Sequence, residues 1–553
     1  MRQLRLILRQ WKRWYAILWA IATCLLIGLT NCTPSQDSTG SSTSPTAAQQ
    51  VIVFGSVSDP TNLEPGNYED LYTGYVTRQI YDQLLDAEPG TTELVPSLAT
   101  EWAASEDGLT WTFTLREGVM FHDGTPFNAE AVKANVERWW DPASPLGFRD
   151  AGKNYVIWKA LFNGFKGEEG SLLQAVNVVD DRTIQFVLRE PFAGFPSAIA
   201  AGYFGMASPT AIEQAGADYG TAGSVAVGTG AFQFVEWRTG DRVVLKKNPN
   251  YWKEGLPKAD QLVIRTIKDA SARMVELRTG NIDFTINLSP EQRAEIERVP
   301  EIDEKLSSPF NVGYLALNTS YEPFSKPEVR RAIAAAINKP AMIDAFWGGL
   351  ATTDGHFTPP ALSQYQDPNV TDYEYNPEAA KQQLADSGYP NGFDLDLWYP
   401  DASGAVFPAP KFIAEAIAAD LTDVGIRVNL NTKDWAGYLA DRLNPPGFQA
   451  FMLAWGGDYG DPDNFYYSHF GPGSTDDIGG WRSDRVITLL NQARQESDES
   501  VRATLYAEVD RILFDEALRI PLVHTQTLMA QRKDLQGWVP SPLGAESFET
   551  VTK

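Results

Sequence analysis

The sequence predicts a mixed α/β (α+β) protein built from more than one lobe, and three observations carry that reading. Apolar residues alternate with period two in some stretches, the pattern of half-buried strands. In others they recur with period 3.6, the pattern of amphipathic helices. About 500 residues follow the amino-terminal leader, too many for a single hydrophobic core.

The leader comes first in chain order. Arg2, Arg5, Arg9, Lys12 and Arg13 precede the uncharged stretch WYAILWAIATCLLIG (residues 14–28), which has the charge and length of a secretory signal peptide. A membrane-spanning helix needs about 20 apolar residues, and this run ends sooner, in polar TNCTPSQDSTGSS. Residues 33–49 are rich in Ser, Thr, Ala and Pro without apolar periodicity, the composition of a flexible tether. Alternation begins with VIVFGSV at Val51, where the folded part is predicted to start.

Further along, Trp111, Phe113 and Leu115 alternate with Thr110, Thr112 and Thr114, a strand behind a turn at Glu106–Gly108. Asn128 is placed to cap a helix over AEAVKANVERWW. FQFVEW and RVVLKK flank RTGD (residues 238–241) and read as a hairpin. KPEVRRAIAAAINKPAMIDAFW sets Val329, Ile333, Ala336 and Ile337 on one helical face, with Pro327 in a first turn that tolerates it. No internal repeat interrupts this order.

The formal charge is −25 and becomes −30 without the five basic leader residues, which argues against nucleic acid and anionic lipid surfaces as partners. The two cysteines, Cys24 and Cys32, both precede the folded part, so it has neither a disulfide framework nor a thiol nucleophile. His122, His356, His469 and His524 are far apart, with no zinc spacing, and no nucleophile elbow, phosphate loop or dinucleotide fingerprint occurs. Neither metal nor cofactor is predicted.

One stretch concentrates polar chemistry: AWGGDYGDPDNF, residues 454–465. A calcium loop starting at Asp461 wants Gly at its sixth position and Glu at its twelfth, where Tyr466 and Pro472 stand. A carboxylate pair for glycoside hydrolysis stays open, because separation across a sugar ring cannot be read from adjacent loop acids. For Asp461 and Asp463 the turn reading leads, with side chains bonding nearby backbone amides.

Two resemblances add to this. LTNC (Leu29–Cys32) resembles a bacterial lipoprotein box, in which the cysteine is lipidated and becomes the first mature residue; Asn31 departs from the usual small residue. The blocks LVPSLATEWAASEDGLTWTFTLREGVMFHDGTPFNAEAVKANVERW (94–139), GTGAFQFVEWRTGDRVVLKKNPNYW (228–252), VGYLALNTSYEPFSKPEVRRAIAAAINKPAMI and WGGDYGDPDNF resemble, in order, the extracytoplasmic solute-binding proteins of peptide- and nickel-type ABC transporters.

That second resemblance implies a two-lobed periplasmic-binding-protein fold with a hinge and an extra family-specific domain. By analogy the divisions are residues 1–31 for the signal peptide, 32–50 for the lipidated cysteine and tether, and 91–195 for the extra domain. Lobe one would comprise 51–90, 196–309 and 523–553, and lobe two 310–522. It further implies a monomeric receptor, not an enzyme, on the extracytoplasmic (periplasmic) face, where the lipoprotein-box resemblance would anchor it by lipid at Cys32. That receptor would pass a small peptide to membrane permease subunits.

At the site, the resemblance makes Asp458 the partner of the ligand's α-ammonium group. Trp455 and Trp435 would line the pocket, and Tyr459 is a further candidate. Positions where short-peptide relatives carry a basic residue for the ligand carboxylate fall on Gly404 and Met452, with Lys411 and Arg482 as possible substitutes. The expected ligand is therefore longer than a dipeptide, or lacks a carboxylate at that end. A nickel chelate or an oligosaccharide in the same fold, and an exported hydrolase, remain as alternatives.

Overall fold

The computed structural model describes residues 49–553 except 402, 403, 405, 445, 473, 475–478 and 545; the leader, Cys32 and the tether to residue 48 lie outside the described residues. Three of the four sheets among the described residues organise the chain; the fourth is the two-stranded pair Leu85–Ala87/Leu94–Pro96. The first has seven strands in the order Ile302–Leu306, Leu528–Arg532, Phe284–Thr285, Val51–Ser56, Gln261–Thr266, Arg242–Lys247 and Phe232–Arg238. Its central strand begins at Val51, where alternation begins, and pairs in parallel with both neighbours. Burial on both faces suits a parallel pair. Phe54 of this strand packs on Tyr75, Phe284 and Phe548, with ring centroids 5.3, 4.8 and 5.1 Å away. Tyr75 belongs to the helix Leu71–Ile80, whose N-cap Asp70 accepts from the Thr73 amide.

The second sheet has six strands: Ala351–Thr352, Arg519–Thr525, Asn311–Leu317, Ala450–Gly456, Asp394–Trp398 and Arg427–Asn431. Every residue of Arg519–Thr525 is buried. The chain crosses between the two sheets at residues 307–310 and again at 526–527. These crossings lie side by side. Asn311 Nδ2 donates to the Thr525 carbonyl at 2.9 Å, and Asn311 Oδ1 accepts from the Thr525 amide at 2.9 Å. A four-stranded antiparallel sheet, Ala99–Ala104, Thr110–Leu115, Thr183–Leu188 and Leu173–Asp180, makes a third core with Trp139, Trp158, Phe195 and Phe204.

Local sequence signals account for several elements. Thr110–Leu115 is a strand with Phe113 and Leu115 buried, and Asn128 caps Ala129–Trp140 by accepting from the Ala131 amide. The hairpin Phe232–Arg238/Arg242–Lys247 forms with a register shift between Phe234 and Glu236. The long helical pattern after Pro327 differs: it is two helices, Pro327–Ala336 and Lys339–Phe346, broken at Ile337, which is extended. Pro340 has no amide to donate to the carbonyl four residues earlier, at Ala336, and its ring crowds that carbonyl, so the first helix cannot run on through it; Asn338 starts the second helix by accepting from the Ala341 amide.

Candidate functional site

The strand Ala450–Gly456 of the second sheet runs out into residues 457–462, and a helix, Asp463–Phe470, follows. Two glycines allow this path through close quarters. A Cβ on Gly457 would stand 2.1 Å from the Phe310 ring, and one on Gly460 2.7 Å from Thr92 Cβ. Between them Tyr459 is only 4% exposed and sits in the core of the four-stranded sheet, so the loop plugs one unit's side chain into another's core.

The three aspartates of this loop have different surroundings. Asp461 and Asp463 are buried at its base. Arg502 Nη2 reaches both oxygens of Asp461, at 2.9 and 3.0 Å, and the Asp463 amide donates to Asp461 Oδ1 at 2.9 Å. Arg494 Nε lies 3.1 Å from Asp463 Oδ1, and the Tyr459 hydroxyl donates to Asp463 Oδ2 at 3.2 Å. The turn reading thus holds for the Asp461 carboxylate, but both acids are also ion-paired. Their arginines come from the helices Asp484–Gln495 and Glu499–Glu516, about 30 to 40 residues downstream, a distance across which local pattern is silent.

Asp458 has no such partner. Its amide donates to Asn464 Oδ1 at 2.8 Å, and Asn464 Nδ2 approaches its carboxylate at 3.4 Å. No cation lies within 4.0 Å among the described residues. Burial pushes its carboxyl up to about 6, and the Asn464 amide offsets only part of that.

Asp458 and Tyr459 line a cavity of about 610 Å³. Its other walls come from the helix Leu71–Ile80, from residues 86–96 and 197–203, and from residues 537–550. The wall is acidic: Asp70, Asp86, Glu88, Asp458, Glu546 and Glu549 face two bases, Arg78 and Lys253. Both bases are engaged, Arg78 with Asp86 and Gln83, and Lys253 with Glu549 at 2.8 Å. Across from Asp458, burial and then the Asp458 charge push the Tyr203 hydroxyl up.

Trp455 and Trp435 stand outside the described lining. The Trp455 indole meets the His469 ring edge-on at 4.8 Å, and Trp435 is 46% exposed and stacks on Tyr438 at 6.1 Å. Met452 is fully buried in the core of the second sheet. Gly404 is exposed, with open space where a Cβ would point. Lys411 is solvent-exposed beside Glu415, and neither it nor Arg482 is on the cavity wall. The described residues contain no group of three or more His, Cys, Asp or Glu able to hold a metal ion, and no helix among them is long and apolar enough to cross a membrane. Glu546 and Tyr203 escaped the sequence reading; nothing periodic or motif-like marks either.

The family described as bacterial extracellular solute-binding proteins, family 5, matches residues 93–477. Heme-binding protein A of Haemophilus influenzae is 32% identical over 545 residues, covering 96% of this chain and 98% of that protein. The dipeptide-binding protein of Escherichia coli is 32% identical over 522 residues, covering 91% and 94%. Among solved structures, HbpA2 from Haemophilus parasuis matches with a TM-score of 0.82 at 28% identity, over 91% of this chain and 99% of that one. DppA from Helicobacter pylori in complex with the peptide STSA matches with a TM-score of 0.73 at 29% identity, over 91% and 98%. Two sheets joined by paired crossings, a third sheet set beside them, and a family match over most of the folded chain lead to one assignment: the chain belongs to the bacterial extracellular solute-binding proteins, family 5.

Proposed function

We propose that this chain is an extracytoplasmic lipoprotein receptor that binds a short peptide by its free amino terminus and delivers it to the permease of an ABC transporter, without catalysing a reaction. The observation that carries the reading is Asp458, a desolvated carboxylate on the cavity wall with no cation beside it among the described residues. A half-buried, partly desolvated carboxylate in that position is unfavourable until a positive group arrives, and a charged hydrogen bond then contributes about 1.5–3 kcal/mol. A peptide's α-ammonium supplies that group. In this reading lobe one comprises residues 51–90, 196–309 and 523–553, and lobe two residues 310–522. The paired crossings at 307–310 and 526–527 act as the hinge, and Cys32 carries the lipid.

Heme, suggested by the name of one relative, fits less well. Its two propionates would face a wall of six acids whose two bases are already paired. An oligosaccharide leaves Asp458 without a cationic partner, a nickel chelate would find no further cluster of His, Cys, Asp or Glu ligands among the described residues, and a hydrolase would need acids placed around a scissile bond.

Native mass spectrometry of the protein isolated gently from its own cells decides between these ligands. The expected result is a retained mass in the range of short peptides, released on denaturation; a porphyrin, sugar or nickel-containing mass would overturn the peptide reading. The anchor is checked separately by labelling with radioactive fatty acid. Cys32→Ser should abolish the label, and equal label on both forms would remove the lipoprotein assignment.

A further inference from the structure

Tyr203 stands on the same cavity wall as Asp458, in the segment that follows the helix Phe195–Ile199. Its mount is fixed. The Tyr68 hydroxyl donates to the Gly202 carbonyl at 3.0 Å, and Gln83 Nε2 donates to the same carbonyl at 3.4 Å. The next residue, Phe204, is buried in the core of the four-stranded sheet, and its amide donates to the Ala201 carbonyl at 3.0 Å. The Tyr203 ring leans on the Tyr68 ring, with centroids 5.5 Å apart.

The hydroxyl at the end of this rigid mount is unspent. It makes no hydrogen bond among the described residues, yet it is not one of the sealed polar atoms of the interior, and the half-buried side chain lines the cavity. Burial, then the charge of Asp458, with Tyr68, Asp70 and Glu69 after it, push the hydroxyl up, so the phenol keeps its proton and stays a donor. A phenol among carboxylates would ordinarily donate to one of them. Asp70 is already engaged, because its oxygens accept from the Thr73 amide, the Thr73 hydroxyl and the Thr61 hydroxyl. Asp458 is near enough for its charge to be felt but is not bonded to Tyr203, which leaves a proton donor and an anion facing the same open space.

That space makes two demands. Asp458 calls for a positive group, and Tyr203 beside it calls for an acceptor, one without charge because an anion there would meet the acids around it. The amino-terminal end of a peptide carries both, an ammonium and a carbonyl on adjacent carbon atoms. We infer that Tyr203 is a ligand-binding residue that donates to the first carbonyl of the bound peptide while Asp458 holds its ammonium, so that the cavity selects α-aminoacyl compounds over amines that lack the carbonyl. This rests on the proposed reading of Asp458 as the amino-terminal anchor.

Calorimetry on the purified protein, refolded to remove retained ligand, tests this with trialanine, with trialanine whose first peptide bond is replaced by a trans alkene, and with N-acetyl-trialanine. The alkene keeps length and shape and deletes the carbonyl. Wild type is expected to bind the alkene analogue about tenfold more weakly than trialanine, and Tyr203→Phe to bind trialanine about fivefold to tenfold more weakly than wild type does. The ratio between trialanine and its alkene analogue should shrink in the variant by the same factor, which a merely structural role would not produce. The melting temperature should be unchanged, since the hydroxyl makes no hydrogen bond among the described residues. A variant that binds trialanine within about twofold of wild type, or that keeps the full ratio, overturns the Tyr203 contact. If N-acetylation still weakens binding in that case, the Asp458 anchor stands without it. If N-acetylation has no effect, or trialanine does not bind, the anchor reading fails and the Tyr203 contact falls with it. Should Tyr203→Phe not fold, wild type alone decides: equal binding of trialanine and the alkene analogue overturns the contact, and weaker binding of the analogue supports it.

Discussion

Asp458 on the one hand, and Asp461 and Asp463 on the other, lie within six residues of each other and obey opposite electrostatic rules. The base of the loop is closed by Arg502 and Arg494, and Arg494 continues outward to Glu190 at 3.4 Å and over the Phe192 ring at 4.5 Å. The Ala193 amide also donates to the Arg494 carbonyl at 2.6 Å. The tip carries a carboxylate with a single weak amide contact. One set of charges is satisfied inside the protein and fixes the loop. The other is held in place by that fixed base, with its demand unmet. A rigid support beneath an unsatisfied group is what a binding site needs, because the ligand then does not have to order the loop as it arrives.

The comparison breaks most readily at the base. Arg502→Met should lower stability by about 3–5 kcal/mol, since Asp461 would remain buried without its partner. Adding Asp461→Asn to that variant should restore most of the loss. Denaturant unfolding of the two single variants and the double variant checks it, and a loss under about 1 kcal/mol for Arg502→Met would mean that the base is solvated and does not fix the loop.

At the tip the sign reverses. Asp458→Asn removes a desolvated charge and should stabilise the ligand-free protein at pH 8 by about 1–3 kcal/mol. The pH dependence follows from the raised carboxyl. The unfolded chain gives up this proton near pH 4, and the folded one holds it until about 6. Wild type therefore loses stability relative to the variant as pH rises through that window, and the difference is flat above it. Melting curves of both proteins from pH 4 to 8 should show the gap opening between 4 and 6. A gap that closes with rising pH would mean that Asp458 already has a cationic partner in the folded chain.

How much of this was legible in the sequence depends on how far apart the interacting residues are. The strand Thr110–Leu115, the capped helix after Asn128 and the hairpin around residues 238–241 are written in local periodicity and turn chemistry, and they formed as read. The break at Ile337 was written too, in Pro340 and Asn338, but the continuous apolar face of the pattern masked it. At the site, Asp458 was singled out by the resemblance of its motif, and the cavity wall does contain it. The arginines that separate Asp461 and Asp463 from it could not be matched to them, because ion pairing between a loop and helices about 30 to 40 residues away is decided by tertiary packing alone. Glu546 is the extreme case: an acid in GAESFET looks like any surface residue until Gln79, more than 460 positions earlier, fixes its backbone against the cavity. Trp435 stands on an exposed helix start and Trp455 faces His469, both outside the lining of this cavity.

The central claim is that Asp458 receives the amino-terminal cation of a peptide, and one calorimetric cycle addresses it most directly: wild type and Asp458→Asn, each titrated with a free peptide and with its N-acetylated form. For wild type, acetylation should weaken binding by about 2–5 kcal/mol, a factor of about 30 to several thousand. Asp458→Asn should lose a comparable amount with the free peptide and little more on acetylation, so that the two changes share one coupling energy. Equal affinity of wild type for the free and acetylated peptides would contradict the account.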